Sequence, residues 1–203
     1  MKSFLFDVDG TLLDTQWVFY ESLSYALQEH QIQPERTLHG LFGGTLEGTL
    51  CKLNIPPDHP VGATWELRFD EMSQKVSFYD GIRETFQTLH EKGAKILIVT
   101  SRNHATADPI WKDSVLSPYI DFCVATEDTS RHKPHPDPLL FAMEQQGLDP
   151  AKAMYIGDTI HDYTAAKAAG IAFGAAKWNK NAAELPGIAL GSPLELLKLL
   201  EGE

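Results

Sequence analysis

At 203 residues the chain is long enough for one domain with a sizeable core, or for a core carrying a smaller inserted unit. Its formal charge of -11 argues against nucleic acid as a partner, because such binding needs a basic footprint; an anionic ligand would have to meet cations concentrated locally. No apolar run approaches the roughly 20 residues of a membrane-spanning helix, and Asp7 and Asp9 interrupt the N-terminal apolar stretch before it could act as a signal peptide, so a cytoplasmic protein without a membrane partner is expected. Cys51 and Cys123 form no C-x-x-C pair and suggest reduced thiols.

In chain order, the apolar run Phe4-Leu5-Phe6 reads as a buried strand and ends in Asp7-Val8-Asp9-Gly10-Thr11-Leu12-Leu13-Asp14. Side chains two residues apart on a strand share a face, so Asp7 and Asp9 converge at its carboxyl edge, and Gly10 lets the backbone turn. Two such carboxylates repel each other and resist desolvation, which asks for a cation or a proton to offset them. The alternative for this stretch in isolation is a pair of solvated aspartates before a turn.

A helix is predicted from Thr15, as N-cap, to about Gln31, with Val18, Phe19, Leu23, Ala26 and Leu27 on its apolar face. The glycine-rich turn Gly40 to Thr45 leads into a short helix ending near Leu53, and a further helix is predicted over Asp58 to Val76 with Val61, Trp65, Phe69 and Met72 at helical spacing. No strand-like segment interrupts Thr15 to Phe78, which points to a small all-helical insertion.

Beyond Gly81 the texture alternates. A helix marked by Ile82, Phe86 and Leu89 precedes the strand Lys95 to Thr100; a helix near Ala105 to Val115 precedes the strand Phe122 to Ala125; and a helix over Leu139 to Gln146 precedes the strand Met154 to Gly157. The helix Tyr163 to Ala169 and the short strand Ile171 to Phe173 follow, and Ser192-Pro193-Leu194-Glu195 reads as a capping box opening a helix to about Leu200. The implied architecture is α/β: a doubly wound parallel-sheet core made of 1–14 and 80–203, with a helical cap of 15–79 inserted after the first strand. Sites in such sheets lie at the carboxyl ends of the strands, where Asp7 and Asp9, Thr100-Ser101-Arg102, Ala125-Thr126-Glu127 and Gly157-Asp158 are predicted to meet.

These stretches resemble the four motifs of the haloacid dehalogenase (HAD) superfamily, in order and over nearly the whole chain: Asp7-Val8-Asp9-Gly10-Thr11, the strand-ending Thr100-Ser101, Lys133-Pro134, and Gly157-Asp158-Thr159-Ile160-His161-Asp162. The helical insertion resembles the cap of the phosphoglycolate-phosphatase-like and β-phosphoglucomutase-like branch. The resemblance implies a Rossmann-like core and a magnesium-dependent phosphatase that hydrolyses a small phosphorylated metabolite through an aspartyl phosphate. It implies that Asp7 is the nucleophile, that Asp7, Asp158 and the backbone carbonyl of Asp9 hold Mg2+, and that the Asp9 side chain is general acid and base. It further implies that Lys133 neutralises the nucleophile and transferring group, that Thr100 bonds a phosphoryl oxygen, that amides near Gly10 and Ser101 bind the others, and that Asp162 orients Lys133 or metal-bound water. Gly43, Gly44 and Thr45 are candidates for a cap loop over the leaving group.

Each residue has a plainer role if taken alone. Thr100 could end a strand and cap the next helix, Lys133 could be a solvated lysine, and Asp158 and Asp162 could be helix-start acids. The histidines show no metal-ligand spacing; His161, inside the fourth motif, is the one to follow. Asp9 argues against carbon–halogen displacement, which needs no protonated leaving oxygen. The resemblance implies an arginine near the glycine-rich cap loop in phosphomutases, and Leu41 to Leu50 holds none, so hydrolysis is favoured and a phosphomutase of the β-phosphoglucomutase type is the alternative among enzymes. A module that binds phosphometabolites without turnover remains the alternative from outside enzymology. Phosphoglycolate would call for a cation, for which the cap loop offers only His39, and either a monomer or a homodimer is compatible with the sequence.

Overall fold

The computed structural model describes residues 2–35, 37–38 and 40–200, so His39 lies outside the described residues. Six strands form one parallel sheet: β1 (Ser3–Phe6), β2 (Lys95–Val99), β3 (Phe122–Val124), β4 (Ala153–Gly157), β5 (Ala172–Ala176) and β6 (Ile188–Leu190), in the order β3-β2-β1-β4-β5-β6. The order reverses at β1, whose register pairs Phe6 with Ile98 on one side and with Ile156 on the other. A reversal of this kind opens a crevice at the carboxyl edge, and Asp7 sits in it.

β1 is apolar on both faces because both are covered. Phe4 and Phe6 face a core built with Ile82, Phe86 and Leu89 of α4 (Ile82–Glu91), Ala107 and Ile110 of α5 (His104–Trp111), and Leu196. The Phe6 and Phe86 ring centroids lie 4.7 Å apart. Leu5 faces the opposite core, where α6 (Asp137–Gln146) supplies Leu139, Ala142 and Met143 and α7 (Ile160–Ala169) supplies Ala165, Ala166 and Ala169. The alanines let α7 approach the sheet closely. No helix among the described residues is long and apolar enough to cross a membrane.

Between β1 and α4 the chain forms α1 (Gln16–Glu29), α2 (Leu46–Lys52) and α3 (Val61–Ser73). These helices enclose their own core, in which the Phe19 ring meets Phe42 and Trp65 edge-on at 5.4 and 5.1 Å. The two connections lie side by side: Leu13 pairs with Phe78, and Tyr79 donates its backbone N–H to Leu12 and its hydroxyl to Asp14.

Several local expectations change. Thr15 starts α1, but its hydroxyl donates to Asp9 at 2.7 Å and makes no cap bond. The C-terminal helix is a 3-10 run, Pro193–Leu199, and Ser192 makes no side-chain cap; Glu195 instead accepts the Gly191 N–H. β5 runs three residues further than its β-branched start suggests, through Gly174, Ala175 and Ala176, and the edge strand β6 follows it.

We propose that 15–79 is a separable cap, on the ground of its own apolar core. Leu23→Ala, which removes a fully buried side chain of that core, is then expected to cost about 2–5 kcal/mol locally. Hydrogen exchange should accelerate in α1 and α3 while β1 and β4 stay protected; equal acceleration throughout would count against the division.

Candidate active site

The turn after β1 is built by backbone bonds. The Asp7 N–H continues the ladder to Ile156 O at 2.9 Å, and Val8 O accepts from Thr11, Leu12 and Leu13. Gly10 has φ +84°, and a Cβ there would lie 2.2 Å from an Asp158 oxygen. The position therefore needs glycine twice, for its conformation and for the approach of Asp158.

Asp7 is buried against Lys133, which the loop between β3 and α6 delivers from 126 residues away; Lys133 Nζ lies 2.6 Å from Asp7 Oδ1. The same ammonium donates to Asp162 Oδ1 at 2.8 Å and to the Tyr155 hydroxyl at 2.9 Å, which fills its three donor positions. Burial alone would lower the affinity of Lys133 for its proton, but the charges of Asp162 and Asp7 outweigh it and hold the ammonium. Burial likewise raises Asp162, but Lys133 and the bonds from Thr159 outweigh it and keep the carboxyl low. Asp7 goes the other way. Burial pushes its carboxyl up to about 7 against the pull of Lys133, with the Asp162 and Asp9 charges adding to the rise.

Asp158, fully buried, reaches the same place from the end of β4. It accepts from Asn179 Nδ2 at 2.9 Å, and Thr11 Oγ1 lies 3.4 Å away. One oxygen each of Asp7, Asp158 and Asp162 lie within 4.8 Å of one another. Asp7 and Asp162 thus share one buried ammonium with a third buried carboxylate, Asp158, beside them, an excess of negative charge that the interior does not tolerate without a proton or another cation. All-oxygen donors suit a hard divalent ion. Asp162 has both oxygens engaged, by Lys133 and by the Thr159 N–H, whereas Asp7 keeps Oδ2 outside its bond to Lys133 and Asp158 meets the neutral groups of Asn179 and Thr11. The Asp9 carbonyl accepts no hydrogen bond among the described residues, whereas Val8 O and Gly10 O are both bonded.

The Asp9 side chain turns elsewhere. Arg102 grips it with Nε at 2.8 Å from Oδ2 and Nη2 at 2.6 Å from Oδ1. Burial raises the Asp9 carboxyl, yet the guanidinium charge and its two bonds, with help from Thr15, bring it below the usual range. A cavity of about 100 Å³ opens between this rim and the cap, with Asp7, Asp9, Ser101 and Arg102 on the core side and Gly43, Gly44, Phe69 and Asp70 on the cap side. A side chain at Gly43 would meet the Thr159 methyl at 2.5 Å, so the glycine lets the cap loop rest on the start of α7 beside Asp158.

Of the residues singled out in the sequence, Asp7, Asp158, Asp162 and Lys133 form one cluster, with Asp9 beside it. Thr100 is buried at the end of β2, where its hydroxyl accepts the Arg102 N–H at 3.1 Å, and Ser101 lines the cavity. Thr45 caps α2 through the Gly48 N–H and does not line the cavity. His161 is half-buried behind the site, with Nδ1 buried and unbonded among the described residues. Trp65 both packs the cap and lines the cavity, whereas Trp17 and Tyr25 are exposed. The sequence reading gave no role to Arg102, Asn179 or Tyr155. The strand-end position did bring Arg102 to the expected rim, without a role, and is the one signal that could have raised Asn179.

The raised Asp7 carboxyl makes a prediction for the metal-free protein. With a folded-state pKa of about 7 against 3.8 for the unfolded chain, the group favours folding while protonated and loses that contribution as pH rises from about 4 to about 7. The stability of the wild type minus that of Asp7→Asn is expected to fall across this window, by at most about 1.4 kcal/mol per pH unit, and to level above it. Urea titrations at a series of pH values read this directly; a difference that rose with pH would contradict the assignment.

The model of the family described as haloacid dehalogenase-like hydrolase matches residues 4–176. The pyrophosphatase PpaX of Bacillus cereus (strain AH820) is 30% identical over 88% of this chain and 84% of its own. Among solved structures, a "putative phosphoglycolate phosphatase" from Lactobacillus plantarum superposes with a TM-score of 0.82 at 25% identity, covering 98% of both chains. A hydrolase from Pseudomonas syringae gives a TM-score of 0.80 at 23% identity, over 99% of this chain and 98% of that one. The chain belongs to the haloacid dehalogenase-like hydrolases.

Proposed function

We propose that the protein is a magnesium-dependent phosphatase acting on a small phosphorylated metabolite, with Asp7 as the residue that carries the phosphoryl group. The observation that supports this most is the buried contact of Asp7 with Lys133 at the end of β1, with Asp158 alongside and a cavity opening onto Asp7.

Lys133 occupies Asp7 Oδ1, which leaves Oδ2 to attack phosphorus. As the Oδ2–P bond forms, the bond to the leaving oxygen breaks, and that oxygen takes a proton from Asp9, which must first gain it from solvent against the pull of Arg102. Water then attacks the aspartyl phosphate, gives a proton to Asp9, and releases inorganic phosphate with Asp7 restored. Lys133 stays charged throughout and offsets the charge on Asp7. Ser101 lines the cavity and is the candidate for phosphoryl oxygens, whereas the amides of Gly10, Thr11, Leu12 and Leu13 are spent on the turn; Thr100 holds the Ser101-Arg102 turn in position through its hydroxyl. A magnesium ion held by Asp7, Asp158 and the Asp9 carbonyl would reduce the repulsion between the carboxylate and the phosphate when bound.

Pyrophosphate is a second reading, favoured by the named activity of the Bacillus cereus relative. Against it stand Glu66 and Asp70 on the cap side, where a second anionic group would lie. Burial raises both carboxyls, and the Asp70 charge raises Glu66 further.

Phosphate release from p-nitrophenyl phosphate, glycerol 2-phosphate and pyrophosphate tests these readings together. Magnesium-dependent release is expected from the wild type, with Asp7→Asn lowering kcat by at least about 10³ and preserving the circular dichroism spectrum. Asp158→Asn is expected to raise the magnesium concentration needed for half-maximal rate by about 10-fold or more. Wild-type-like turnover by Asp7→Asn would remove the nucleophile, and no release from any substrate would leave a binding module.

A further inference from the structure

Arg102 is the one lysine or arginine lining the cavity among the described residues, and its side chain is only 8% exposed. A cation in that place would ordinarily be read as a substrate contact. Here two of its nitrogens are already given to Asp9 as a bidentate pair, the geometry that fixes a carboxylate in both position and plane. Thr15 Oγ1 holds the same carboxylate from the entrance of α1, at 2.7 Å. The Arg102 backbone is itself anchored, through its N–H to Thr100 Oγ1 and through its carbonyl to the Thr126 N–H, so the grip comes from the fixed ends of β2 and β3.

The guanidinium has a second neighbour. Its carbon lies 5.0 Å from the centre of the Phe69 ring, on the cap helix α3, within the range where an aromatic face attracts a cation. One residue on, Asp70 adds a charge that helps hold Arg102 protonated; burial opposes this and the Asp9 charge supports it. Arg102 thus bridges the acid–base carboxylate on the core and an aromatic face on the cap.

We propose that Arg102 is a positioning residue, setting where the Asp9 carboxylate stands for proton transfer and tying that placement to the cap through Phe69. The inference rests on the phosphatase reading. Arg102 acts through Asp9, and Phe69 acts through Arg102. Arg102→Lys could not reproduce the bidentate grip, and Phe69→Ala would remove the aromatic face over the guanidinium while leaving its bonds to Asp9.

Leaving-group dependence separates this role from a structural one. A departing alkoxide needs a proton and p-nitrophenolate does not, so Asp9→Ala is expected to slow glycerol 2-phosphate by about 10² or more and p-nitrophenyl phosphate far less. Arg102→Ala is expected to show the same skew, lowering kcat on glycerol 2-phosphate by about 10-fold or more with a much smaller loss on p-nitrophenyl phosphate. The Asp9→Ala, Arg102→Ala double variant should be no slower than Asp9→Ala, because both changes remove one unit. Phe69→Ala is expected to give a weaker version of the skew, and it carries the test should Arg102→Ala fold poorly. Losses that multiply in the double variant, equal losses on both substrates, or a rise confined to KM would overturn the proposal. If Asp7→Asn is inactive and Arg102→Ala shows no skew, the phosphatase reading stands and this inference alone fails.

Discussion

The structure turns on one charge balance. Lys133 is buried between Asp7 and Asp162, each within 2.8 Å, and the Tyr155 hydroxyl completes its shell. Removing Lys133 from such a cluster leaves the buried carboxylates uncompensated, a loss of about 3–5 kcal/mol. The loop that carries Lys133, the end of β1 and the start of α7 are therefore fixed to one another by electrostatics as much as by packing. Gly10 is the complement of this constraint, because its missing side chain is what admits Asp158 to the same small volume.

The balance is incomplete with protein groups alone. Asp7, Asp158 and Asp162 outnumber the single ammonium, and the rise of the Asp7 carboxyl toward 7 is the interior's response to that excess. The same excess that burdens the metal-free fold is what makes a divalent cation welcome. The cap contributes the other wall of the site. Gly43 permits its loop to rest on α7, and Phe69 covers the guanidinium that grips Asp9.

What the sequence made legible was whatever a strand end announces. Asp7, Thr100 and Asp158 each follow a β-branched or aromatic run, and a parallel sheet brings such positions to one edge, so their meeting followed from the alternation of elements. Pairing through space was illegible. Asp9 and Arg102 are 93 residues apart, and nothing in their spacing distinguishes a buried bidentate pair from two solvated charges. Asn179 was hidden because β5 ends in Gly174-Ala175-Ala176, which reads as turn or helix and becomes strand only by burial between β4 and β6. The two caps expected at Thr15 and Ser192 failed for a related reason: the hydroxyl of Thr15 found a buried carboxylate instead of the helix start, and Glu195 bonded the backbone one residue before the expected cap.

The central claim is that a phosphoryl group passes through the side chain of Asp7. Borohydride reduces an acyl phosphate to the alcohol, so treating the wild-type protein during turnover of p-nitrophenyl phosphate in magnesium, followed by peptide mass spectrometry, reads the carrier directly. The account predicts homoserine at position 7, dependent on both substrate and magnesium. Steady turnover with position 7 unmodified, or modification at a different carboxylate such as Asp9 or Asp158, would contradict it.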